Sequence, residues 1–136
     1  MSSGVAALTY GVLPSSILPV SNMRKQDVEA RARQERIDLG VRVRKLRKER
    51  GWKQPVLSDK FWEVERSDDP SKTGPTITAT TISKWERGHQ GISAYYLTVI
   101  ARVFGMSVDE LRAVPLNEED YEFLQHAGRS RRRPET

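Results

Sequence analysis

The side chains able to do chemistry in this chain of 136 residues are few in kind. There is no cysteine, which excludes thiolate nucleophiles, Cys-based zinc sites and disulfide frameworks together. The two histidines, His89 and His126, stand far apart and lack a second ligand at metal or triad spacing. No catalytic residue, metal or cofactor is expected. What remains is charge, a formal +5, and its distribution is uneven. Residues 1–53 hold 12 Lys/Arg against 5 Asp/Glu (+7), residues 54–128 hold 7 against 12 (−5), and residues 129–136 hold 4 against 1 (+3). A basic N-terminal half and a basic tail around a mildly acidic middle suit a polyanion approached from one side. Runs of charge also merely solvate helices, so charge alone leaves nucleic acid as one of two readings.

The elements that would carry these charges read as helices. Residues 1–22 have no charge and are rich in Ser, Gly and Pro; the first basic residue is Arg24, and Pro14 and Pro19 interrupt the apolar stretch. This predicts a flexible arm, not a secretory leader or membrane span, and hence a cytoplasmic protein. Met23–Arg50 contains no proline and one glycine, Gly40. Its pairs Asp27/Arg31 and Glu29/Arg33 support an exposed helix, and Leu39, Val43 and Leu46 form a core-facing stripe in its second half. After Gly51 a second helix begins near Gln54, with Pro55 in its first turn. Its buried face is Leu57, Phe61 and Val64, and it is predicted to reach about Glu65. Ser67–Thr76 reads as a loop. Thr78 caps a short helix that buries Ile82 and Trp85 and stops at Gly88. Ser93 opens the next, with Leu97, Ile100, Ala101 and Phe104 on one face and Gly105 closing it. Ser107 and Glu110 make a capping box, and Asn117 begins a last helix ending at Gly128. Nothing alternates as a strand, so the fold class is all-α.

The order of particular residues carries more information than the helices. Leu39-Gly40-x-x-Val43-x-x-Leu46-Arg47 precedes Gly51-Trp52-x-Gln54-x-x-Leu57. There follow Ile77-Thr78-x-x-Thr81-Ile82-Ser83-x-Trp85-Glu86-Arg87-Gly88 and Leu97-x-x-Ile100-Ala101-x-x-Phe104-Gly105-Met106-Ser107-Val108-Asp109-Glu110-Leu111. This pattern resembles the Cro and lambda-repressor (XRE) type of helix-turn-helix domain over roughly residues 37–113. The resemblance implies five helices, the second spanning the DNA backbone and the third entering the major groove. It implies that Ala79, Thr80 and Lys84 read base edges, Lys84 towards guanine acceptors, Thr80 by bonding either edge or touching a thymine methyl, and Ala79 by contact with that methyl. It assigns backbone contacts to Gln54, Lys53, Thr81, Arg87, His89 and Gln90, which position the protein without reading sequence. Arg47 and Glu86 match a partly buried structural ion pair between the first helix and the end of the third.

The chain departs from the family in its second turn. About 14 residues, 62–75, are inserted where about four are usual. The insertion either lengthens the second helix and carries Lys72 to the DNA, ordering on binding, or folds away, or meets a second protomer. Lys53 replaces the usual Ser or Thr cap, forfeiting about 1 kcal/mol. The basic helical extension 23–36 serves as an arm on DNA or as a solvated or dimer-forming helix. The expected layout is thus a flexible arm (1–22), the extension (23–36), the DNA-binding domain (37–113), a C-terminal helix (114–128) and a disordered basic tail (129–136).

Together these imply a sequence-specific regulator of double-stranded DNA, a bacterial or phage immunity-type repressor acting in the bacterial cytoplasm or an infected host cell. The expected partner is operator DNA, bound either by two copies of the chain joined through residues 117–128 or the N-terminal helix or by a monomer reading adjacent sites, with no membrane and no small-molecule ligand. Alternatives are an antitoxin or protein-bridging module on the same fold, or an RNA-binding protein acting through Arg131-Arg132-Arg133.

Overall fold

The computed structural model describes residues 24–125. The arm at 1–22, the tail at 129–136 and the predicted helix end at Gly128 lie outside the described residues. The chain divides into two units, one up to Ala32 and one from Arg33 onwards. Helix α1 (Lys25–Glu49) begins in the first unit, where the described side chains are all exposed, including Val28.

In the second unit α1 buries Gly40, Val41, Val43, Leu46 and Arg47. Leu39, expected in the core stripe, is only half-buried. Gly51 ends the helix at φ 73°, a left-handed conformation that glycine adopts without a Cβ clash. Helix α2 (Gln54–Asp68) follows, with Lys53 at its N-cap making no side-chain hydrogen bond to the helix.

Helix α2 runs past Glu65, where the sequence predicted its end, and takes in half of the supposed insertion. The stop comes from Pro70 and not from Ser67. A residue preceding proline is driven out of the helical region, and Asp69 accordingly sits at φ −143°, ψ 88°. The buried face also differs from expectation. Leu57 and Phe61 are buried, but Val64 is only half so, and Glu65 is fully buried in its place.

Helix α3 (Ala79–Glu86) is capped by Thr78, whose hydroxyl accepts from the Thr81 amide. Helix α4 (Ala94–Val103) is capped by Ser93, and α5 (Val108–Arg112) has the full Ser107/Glu110 capping box. Asn117 does not open an α-helix directly. It caps a 3-10 turn, Glu118–Tyr121, through a reciprocal box with Asp120, and α-helix resumes at residues 122–125. Among the described residues there is no strand.

One core joins these elements. Phe61, Trp85 and Tyr96 form a ring cluster with centroids 5.7–6.2 Å apart. Around them pack Val43, Leu46, Leu57, Ile77, Ile82, Leu97, Ile100, Phe104 and Leu111. Full burial of a Leu or Ile side chain contributes roughly 1.5–3 kcal/mol, so this cluster fixes α3 against α1, α2 and α4. The backbones of α1 and α3 nearly touch: a Cβ on Gly40 would lie 1.9 Å from the Trp85 carbonyl oxygen.

Candidate nucleic-acid interface

Helix α3 has two sharply different faces. At 100° per residue, Ile82, Trp85 and Glu86 share one side, and all three are buried. The opposite side carries Thr80 and Lys84, both exposed, with Ser83 and Arg87 half-buried beside them and Ala79 at the flank. Three of the expected base-reading residues therefore occur on or beside one open stripe. Ser83 shares that stripe and went unassigned; its i, i+4 relation to Ala79 was the available signal.

The buried side is held by charge. Arg47 donates twice to Glu86, Nε to Oε2 at 2.7 Å and an NH2 nitrogen to Oε1 at 2.9 Å, while its third donor meets the Trp52 carbonyl at 2.8 Å. Glu86 is 1% exposed and Arg47 5%, so the pair sits inside the molecule and fixes the end of α3 to α1. Bidentate geometry of this kind fixes orientation as well as distance. Gln54, the first residue of α2, adds a bond from Nε2 to Glu86 Oε1 at 3.1 Å. A glutamine amide nitrogen has two protons, so Gln54 can hold Glu86 with one and still offer the other to a phosphate.

Lys53, His89 and Gln90 are exposed, and Thr81 is half-buried. The His89 amide donates to the Lys84 carbonyl at 2.9 Å, which closes the end of α3. Arg87 turns its Nε back on the Ser83 carbonyl at 3.4 Å. Arg36 of α1 donates to the Gly88 carbonyl at 2.9 Å, a link at this end of α3 that sequence reasoning missed because it joins residues 52 apart.

Lys72 does not extend outwards from the turn. Its ammonium lies 3.5 Å from the buried Glu65 carboxylate and 5.3 Å from the centre of the Tyr95 ring. Asp68, one turn further along α2, pairs with Arg102 of α4. The enlarged turn is thus already tied to its own domain. Among the described residues no group of His, Asp or Glu could hold a metal ion, and no helix is long and apolar enough to cross a membrane.

The family model for the helix-turn-helix matches residues 71–111, from the enlarged turn through α3 and α4 into α5. Over these residues the chain is similar to the XRE-type helix-turn-helix of the lambda-repressor and Cro kind. It supports a DNA-binding regulator and points away from an enzyme. Comparison with curated proteins gives no match, and comparison with solved structures gives none.

Proposed function

We propose that this chain is a sequence-specific regulator of double-stranded DNA, acting as a repressor of bacterial or phage immunity type. The DNA-binding unit spans roughly residues 37–113. Ala79, Thr80 and Lys84 read base edges in the major groove, and Lys53, Gln54, Thr81, Arg87, His89 and Gln90 hold the flanking phosphates. The observation that carries this reading is the outward stripe of α3, exposed at Thr80 and Lys84, on a helix whose other face is locked by the Arg47–Glu86 pair.

The test begins by enriching duplexes from a random pool with the unaltered protein and measuring affinity for the enriched and the random DNA. Lys84→Ala should cost about 1–3 kcal/mol on the enriched duplex and broaden the preferred base at one position. Unchanged affinity and preference would remove α3 as the reading element. The same purified protein, footprinted upstream of its own gene, would show whether it controls itself.

A further inference from the structure

Residues 69–78 join α2 to α3, and their placement turns on one carboxylate. Glu65 is 0% exposed although it lies near the end of a surface helix. A buried charge without partners is strongly unfavourable, and here the partners converge from three directions. The Thr76 hydroxyl lies 2.8 and 2.9 Å from the two carboxylate oxygens and shares its one proton between them. The Tyr95 hydroxyl of α4 donates to Oε2 at 2.8 Å, and the Lys72 ammonium stands 3.5 Å from the same oxygen. Thr76 lies two residues before Thr78, the cap of α3. Between them Ile77 is 2% exposed, and its carbonyl accepts from the Ser58 hydroxyl of α2 at 3.2 Å. The backbone entering α3 is therefore fastened to α2 twice in consecutive residues.

We propose that Glu65 is a positioning residue for DNA reading: through Thr76 it makes the enlarged turn a rigid strut that fixes where the leading end of α3 lies. This rests on the reading of α3 as the DNA-contacting helix. The role is separable from plain stability because Thr76 and Tyr95 bond the same carboxylate, yet only Thr76 belongs to the segment entering α3.

Thr76→Val and Tyr95→Phe each delete one hydroxyl with little change of shape. Native-state hydrogen exchange at the Thr81 and Ile82 amides, both bonded to Thr78, reads the strut without DNA. Thr76→Val should accelerate exchange there about tenfold, equivalent to ~1.4 kcal/mol, while Tyr95→Phe should leave it within about twofold. Thr76→Ser, which keeps the hydroxyl, should restore the original rate. On the enriched duplex, Thr76→Val should lower the preference over random duplex about tenfold and Tyr95→Phe should not. Equal exchange in the two variants, or none gained in Thr76→Val, would reduce Glu65 to a stabilising residue and overturn the proposal. Should the unaltered protein enrich no sequence, the DNA reading fails, and the exchange rates still decide whether the strut exists.

Discussion

At the scale of single residues, Glu86 of α3 ties together α1 and α2. Its carboxylate receives two bonds from Arg47 and one from Gln54, and Arg44 approaches to 4.0 Å. Such a buried pair is not in itself a large source of stability, since both charges give up hydration to form it. Breaking it is another matter, because Arg47 would be left buried and uncompensated. Glu86→Ala should cost about 3–5 kcal/mol in urea unfolding. Adding Arg47→Met should return part of that loss, since the stranded charge is then gone. A single variant as stable as the parent would show that water or another anion neutralises Arg47.

At the scale of elements, the crossing of α1 and α3 fixes where the reading helix lies. On an isolated helix, Gly→Ala is stabilising by about 1 kcal/mol. At Gly40 the sign reverses, because the added methyl would meet the Trp85 carbonyl oxygen at 1.9 Å. Backbone cannot yield as a flexible side chain does, so α3 must move or the helices must part. Gly40→Ala should lower stability by about 1–3 kcal/mol or more, read as the thermal midpoint. It should also weaken binding to the enriched duplex beyond what the stability loss explains. A raised midpoint would show that the two helices do not meet there. The turn between α2 and α3 shows the same logic of fixed geometry: loop length costs little entropy, but Pro70 and Glu65 decide its course.

At the scale of the whole molecule, the segment after α5 folds back on α1. Arg42 donates to the Val114 carbonyl at 2.8 Å, and Lys45 reaches the Pro115 carbonyl and Asp120 at 2.9 and 3.1 Å. The Tyr121 hydroxyl donates to Asp38 at 2.7 Å. These groups are engaged within their own chain. Burial, and then the neighbouring Asp38 carboxylate, push the Tyr121 hydroxyl up from 10 to about 12. The fold therefore prefers the protonated phenol. Its contribution is complete below pH 10 and is lost as pH rises through about 12. Tyr121→Phe should flatten the decline of the urea midpoint over that interval, and an unaltered decline would mean that Tyr121 titrates as a free phenol. Asp120 acts at the other end of the scale. The Asn117 backbone amide, and Lys45 after it, hold its carboxyl below the ordinary value. Its contribution is present above the usual carboxylate range and is lost as pH falls below it.

The helices and their starts were legible in the sequence because each is settled within a few residues. Thr78, Ser93 and Ser107 cap by bonding an amide three positions on, and the apolar faces of α3 and α4 repeat at helical spacing. The pairing of Arg47 with Glu86 came from likeness to a known pattern, not from anything local to either residue. Only the tertiary structure decided that Glu65 is buried in place of Val64, that Gly40 faces a carbonyl, that Arg36 meets Gly88, and that Lys72 turns inwards. Each of those depends on groups distant in sequence that close packing brings within hydrogen-bond or contact range, and no local periodicity encodes which distant partner arrives.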